Sequence, residues 1–203
     1  MESHLRDYHI LKVINEPDID DFESGEEKHI YLTIKDKIEY IVKVGVITKC
    51  SLSKHNIKEE MGIIWHMKDL TPQILDYWES TIDGLLMGFL VLEKWNMRFI
   101  EYPKKDYLPR MTYNAIKRMH EMNIIHGDLH EGNIMIKDEV IGFIDFENSF
   151  IVNHGSEERL NHILMDYGFT YKIHSLNYDE KVNIAMNYED SLIFKKRSKG
   201  GLI

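Results

Sequence analysis

The sequence predicts an α+β fold of two lobes: a small antiparallel sheet carrying one helix, followed by a mainly helical second lobe. Three observations predict it. Apolar, β-branched and aromatic runs at residues 30–34 and 38–44 flank the polar Lys35-Asp36-Lys37, the pattern of an antiparallel hairpin. Ile57, Glu60, Ile64 and Met67 follow at spacings of three and four, which places them on one helix face. Strand-like residues 73–78 and 85–92 come next, and only then do longer helical patterns dominate. At 203 residues the chain is most simply one domain, long enough to bury a real core.

Taken in order, residues 8–14 form a mixed apolar run that reads as a first strand, which Pro17 and the acidic cluster Asp18, Asp20, Asp21 and Glu23 interrupt. Ser24-Gly25-Glu26-Glu27 is a turn leading into the hairpin. Lys43 lies inside the second hairpin strand between Val42 and Val44, and by alternation alone it fits a lysine facing solvent from one side of a sheet. The helix that follows runs to about Asp69, with Ser53 as its cap. Glu60 interrupts its apolar stripe, and a carboxylate there needs a partner, which Lys43 would supply. Glu59, on the neighbouring stripe with Ile63, is the second candidate.

The apolar run from Leu85 to Leu92 is far too short to span a bilayer and reads as a buried strand. Residues 106–122 carry helical spacing in Met111, Ala115, Ile116 and Met119 after Pro109, and end at Asn123. Residues 134–136 and 140–144 are two further strand-like runs around the polar 137–139. Beyond them the expectation is a loop over 147–155 and helices over 156–167 and 178–194. No internal repeat or low-complexity tract is present.

Net charge is −9, which argues against a general affinity for nucleic-acid phosphate. The basic stretch 195–201 reads as a solvated terminus. The single cysteine, Cys50, cannot form an internal disulfide, so nothing points to an oxidising compartment. The first residues lack the basic start and apolar stretch of a signal peptide. A soluble, cytoplasmic protein with no membrane association is expected, working in a host cytoplasm if it is a viral or effector protein.

The chemistry concentrates in His126-Gly127-Asp128-Leu129-His130-Glu131-Gly132-Asn133 and in Ile144-Asp145-Phe146-Glu147. Asp128, Asn133 and Asp145 are oxygen-bearing side chains on loops flanking apolar strands. Such groups suit Mg²⁺, a hard cation that takes carboxylate and amide oxygens together with phosphate oxygens and waters. A carboxylate near an attacking hydroxyl can align it without covalent chemistry. Asn133 and Asp145 fit the metal role and Asp128 the aligning role. Singly, each is an ordinary turn residue.

These motifs resemble the protein-kinase-like superfamily, whose catalytic and metal-binding loops read H-x-D-x-x-x-x-N and hydrophobic-Asp-Phe. The resemblance spans about residues 25–166 and is strongest over 126–147. It implies ATP with Mg²⁺, Mn²⁺ being possible, bound between the lobes. It also implies that Lys43 meets the phosphates, that Glu60 orients Lys43, and that Gly25 belongs to the phosphate loop. Glu93, Lys94 and Trp95 become the hinge whose backbone meets the adenine edge. The corresponding boundaries are residues 1–92 for the first lobe, 93–95 for the hinge and 96–203 for the second lobe.

Four departures set this chain apart. Gly25 is the only glycine in the loop region, beside two glutamates that would repel phosphate unless turned away. Gly127 stands where regulated kinases carry the arginine that reads a phosphorylated activation segment. Glu147 replaces the glycine after Asp145-Phe146, where it either adds to the metal site or stiffens a loop that no longer flips. No Ala-Pro-Glu segment follows, so the usual peptide platform is reduced.

Such features resemble compact atypical kinases: the RIO type, the small kinase subunit of the KEOPS complex, and minimal effector and viral kinases. The implied reaction is γ-phosphoryl transfer from ATP to a protein serine or threonine, with a partner protein for activation possible. The same loops also resemble aminoglycoside and choline phosphotransferases, and a pseudokinase or the ATPase subunit of a complex is the third reading. In these terms His130 stands where many kinases carry a phosphate-neutralising lysine, and only a protonated histidine could do the same. His126 reads as a structural residue. Asp166 either anchors the catalytic loop or is a solvated helix-end aspartate.

Overall fold

The computed structural model describes residues 5–15, 28–47, 56–98, 101, 108–151 and 166. Five strands form one antiparallel sheet in the order β1-β2-β3-β5-β4: β1 His9–Asn15, β2 His29–Lys35, β3 Ile38–Val46, β4 Ile74–Ile82 and β5 Leu85–Glu93. Two-residue turns close the β2–β3 and β4–β5 hairpins. Asp36 and Lys37 sit at φ 52° and 67°, and Asp83 and Gly84 at 50° and 85°. Paired positive φ values match the right-handed twist of the flanking strands, which is why such short turns work.

Alternation divides the sheet cleanly. Val42, Val44 and Val46 of β3 and Met87, Phe89 and Val91 of β5 face an outer core that also holds Leu5, Tyr8 and Trp78. Trp78 stacks on Phe89 with ring centroids 5.0 Å apart, and Arg6 lies 4.4 Å over the Trp78 ring. Lys43 and Gly45 share the opposite face of β3. Gly45 pairs in register with Gly88 of β5. A Cβ on Gly88 would stand 2.5 Å from Ile57 Cγ2, so this glycine lets the next helix approach the sheet.

That helix, α1, spans Ile57–Met67 and buries Ile57, Glu60, Ile63, Ile64 and Met67. Its cap is Asn56: the side chain accepts from Lys58 N and Glu59 N, while the Glu59 carboxylate accepts from Asn56 N at 3.2 Å. This reciprocal box satisfies amide groups that the first turn leaves unpaired. The expected cap, Ser53, lies outside the described residues. A 3₁₀ turn over Lys68–Leu70 ends the segment.

After β5, β6 Met97–Arg98, β8 Ile134–Lys137 and β9 Val140–Phe143 form a three-stranded sheet. Helix α2 covers Leu108–Glu121. Strand β7 Ile124–Ile125 pairs with β10 Phe150–Ile151, within the stretch expected as a loop. The pairings β6–β8 and β7–β10 involve two residues each, too short to leave a pattern in the sequence. A core of Leu90, Leu92, Ile116, Met119, Ile134, Phe143 and Phe146 with Ile57, Ile64 and Met67 joins the sheet lobe to this second part. The expected helices over 156–167 and 178–194 lie outside the described residues, except that Asp166 is helical and buried. No helix among the described residues is long and apolar enough to cross a membrane.

Candidate active site

A cleft of about 610 Å³ opens between the sheet and the β8–β9 hairpin. Ile30, Ile41, Leu92, Met135 and Phe143 give it apolar walls, and Lys43, Glu60, Asn133 and Asp145 line it with charged and polar groups. An apolar slot with a few convergent polar groups is the common form of a small-molecule site.

Lys43 is buried, not solvent-facing. Its Nζ donates to Glu60 Oε1 at 2.6 Å and lies 3.6 Å from Asp145 Oδ1. Glu60 is fully buried, whereas Glu59 is used in the α1 cap. Burial by itself would lower the lysine pKa, but the charges of Glu60 and Asp145 and the Glu60 hydrogen bond outweigh it and hold the ammonium above its ordinary value. Burial would likewise raise the Glu60 carboxyl, yet Lys28 and Lys43 together bring it below the usual carboxylate range. Lys28 was not foreseen as a site residue. Its Nζ lies 3.1 Å from Glu60 Oε2 and 2.6 Å from Glu147 Oε1. The available signal was alternation: Lys28 is in phase with Ile30 and Leu32, which face the cleft.

The loop after β7 carries Asp128, whose surface is exposed. Asn133 ends a 3₁₀ turn over Glu131–Asn133, and its Nδ2 donates to Asp128 O at 2.9 Å. That bond leaves Oδ1 as the Asn133 atom available to a cation. Ile144 N donates to Asn133 O at 3.0 Å, which ties the segment before Asp145 to the same loop. Asp145 itself has φ 68°, a left-handed conformation that is strained for a residue with a Cβ.

Buried groups fix this loop from behind. Asp166 accepts from His126 N at 2.8 Å and Gly127 N at 2.9 Å, and pairs with His120 Nε2 at 2.9 Å. Of the two readings of Asp166, the structure therefore shows the anchor. The His126 ring bridges to Ile144 O at 2.9 Å and packs 5.0 Å from the Phe146 ring. Gly127 has φ 80°, which favours glycine. His130 Nδ1 accepts from Gly132 N at 3.0 Å, a bond that a proton on Nδ1 would remove.

The residues expected to form the hinge, Glu93, Lys94 and Trp95, all line the cleft, and their side chains are engaged with other side chains. Glu93 accepts from Trp95 Nε1 at 3.0 Å and pairs with Lys137, while Lys94 pairs with Glu39. Trp95 is buried and would stand 2.4 Å from a Cβ on Gly142, so its ring packs into the hairpin. Gly25 lies outside the described residues. Among those residues no group of three or more His, Cys, Asp and Glu side chains gathers to hold a metal. Asn133 and Asp145 are hard oxygen donors, and they suit a cation that takes its other ligands from phosphate and water.

A small antiparallel sheet with one helix, its lysine paired to that helix's glutamate, facing a loop that bears Asp128 and Asn133 and the segment after β9 that bears Asp145, is the arrangement of a protein-kinase-like fold. The RIO domain model matches residues 51–167, more than half of the chain, and the chain belongs to that atypical, protein-kinase-like family. The family implies use of ATP. The chain is also 27% identical over 134 residues to a protein of Acanthamoeba polyphaga mimivirus that bears the name of a serine/threonine-protein kinase. The match covers 59% of this chain and 23% of that relative, so the chain spans about a quarter of the relative's length.

Proposed function

We propose that this chain transfers the γ-phosphoryl group of ATP to a serine or threonine hydroxyl of a protein. The observation that carries the reading is the Lys43–Glu60 pair at 2.6 Å with Asp145 3.6 Å from the same ammonium, beside an apolar slot. Lys43 holds the phosphates, Glu60 fixes Lys43, and Asp128 aligns the acceptor hydroxyl from an exposed loop. Asn133 and Asp145, as hard oxygen donors, would hold Mg²⁺. When bound, the ion offsets charge on the phosphate oxygens. The hinge backbone from Glu93 to Trp95 meets the adenine. The mimivirus relative's name supports a protein acceptor.

The test is mass spectrometry of products from labelled ATP, with protein mixtures, aminoglycosides, choline and sugars offered as acceptors. Phosphoserine or phosphothreonine that disappears in Asp128→Asn and Asp145→Asn is the expected result. Phosphorylated small molecules would make the chain a small-molecule phosphotransferase, and free phosphate alone an ATPase. If millimolar ATP with Mg²⁺ left the melting temperature unmoved, the chain would be a pseudokinase, because a ligand of the native state must raise it. An undiminished rate in Asp145→Asn would place the metal elsewhere.

A further inference from the structure

Behind the cleft, the buried Lys28, Lys43 and Glu60 form one cluster with the partly exposed Asp145 and Glu147. Glu60 Oε1 accepts from Lys43, its Oε2 lies 3.1 Å from Lys28 Nζ as an ion pair, and Lys28 donates to Glu147 at 2.6 Å, 119 positions away in the sequence. Lys28 itself does not line the cleft, and it is buried. Its stem runs over Gly45, where a Cβ would stand 3.0 Å from Lys28 Cγ. The sheet therefore leaves room for this side chain at a point from which its ammonium touches both α1 and the segment following Asp145.

We infer that Lys28 is a positioning residue for phosphoryl transfer: through Glu147 it latches the Asp145 segment to Glu60, and so keeps Asp145 opposite Lys43. The inference rests on the functional reading above. Without the Lys28 charge, Glu147 would face Glu60 and Asp145 with no cation of its own. Like charges in a poorly solvated site repel strongly, and Asp145, two residues from Glu147 and already at a strained φ, is the group free to yield. The glutamate that stands in place of a flexible glycine is thereby joined to the sheet lobe. A buried pair of this kind contributes little net stability but can fix one geometry among several.

The test uses Lys28→Met, Glu147→Gln and the double variant in the full chain, and reads the Mg²⁺ concentration that gives half-maximal transfer. A latch predicts that Lys28→Met raises this concentration about tenfold and lowers the maximal rate by a similar factor, and that the double variant is no worse than Lys28→Met alone, because groups acting as a unit are not additive. Metal-free ADP binding should change less than about threefold. A Mg²⁺ requirement unchanged in Lys28→Met, with only a lower melting temperature, would reduce the pair to a structural contact and overturn the inference. So would losses that multiply in the double variant. If the wild type transfers no phosphate to any acceptor, the functional reading fails. The latch is then judged by unfolding, where additive losses from the two substitutions would refute it.

Discussion

Glu60→Gln is the most informative single substitution, because one carboxylate holds two buried ammonium groups. At an effective dielectric of about 20, charges 2.6 Å and 3.1 Å apart attract with about 6 and about 5 kcal/mol, before the desolvation of each ion is subtracted. Desolvation cancels most of that, and removing one member of a buried pair typically costs about 3–5 kcal/mol. Here the lower end applies, because Lys28 keeps Glu147 and Lys43 keeps Asp145 as second partners. A loss of about 3 kcal/mol is a large share of the stability of an ordinary domain. In urea it should move the unfolding midpoint down by about 1 M or more, with the slope unchanged. The pH dependence gives a second reading. The Glu60 carboxyl is held below its ordinary 4.5 in the folded chain, so its contribution is complete above that pH and fades as the pH falls through the lower folded value. The gap between wild type and Glu60→Gln should therefore be full at neutral pH and narrow in acid. A midpoint shift worth less than about 1 kcal/mol at pH 7, or a gap that widens in acid, would refute the ion-cluster account.

Three further outcomes follow from particular contacts. Asp166→Ala removes the acceptor of two amide hydrogens and a histidine, and should cost about 3 kcal/mol, while slowing transfer more than it weakens nucleotide binding; calorimetry and steady-state kinetics separate the two, and equal effects on both would contradict a loop-anchoring role. Gly142→Ala places a Cβ 2.4 Å from the Trp95 ring and 3.0 Å from Leu70 O, and should destabilise by about 1–3 kcal/mol through overpacking, read from urea unfolding. Asn56→Ala should lose about 1 kcal/mol with the capping box, and retention of the wild-type midpoint would show that α1 starts elsewhere.

Much of the first lobe was legible because its determinants are local. Each hairpin announces itself through alternation around a two-residue polar turn, and Asp83-Gly84 and Asp36-Lys37 both adopt the positive φ such turns need. The helix stripe 57-60-64-67 was legible for the same reason, and its polar interruption at Glu60 pointed to a buried partner. The cap was misplaced although Asn56 and Glu59 have the spacing of a capping box. Serine and asparagine cap helices about equally well, so capping preference alone did not separate Ser53 from Asn56. Asp166 could not be settled from sequence, since a carboxylate on a helix looks the same whether it meets water or, 40 residues back, the His126 amide.

Lys28 shows where sequence reading stops. Its neighbours Glu26, Glu27 and His29 suggest a charged turn, and a lysine at a strand entrance is ordinarily solvated. What buries it is a space left by Gly45 on the adjacent strand and two carboxylates, one 32 and one 119 positions away. None of these leaves a local pattern, because each is individually a common residue in a common place. The same cluster bears on Glu147, which the sequence left open between metal ligand and loop stiffener. Its Oε1 is 2.6 Å from Lys28, and burial, against the pull of Lys28, raises its carboxyl above the ordinary range. A carboxylate already held by a buried cation is a poor ligand for a second one. The contact with Lys28 favours the stiffening role: it ties the segment after Asp145 to the sheet lobe, and assigning Glu147 to a metal would leave Lys28 with Glu60 alone.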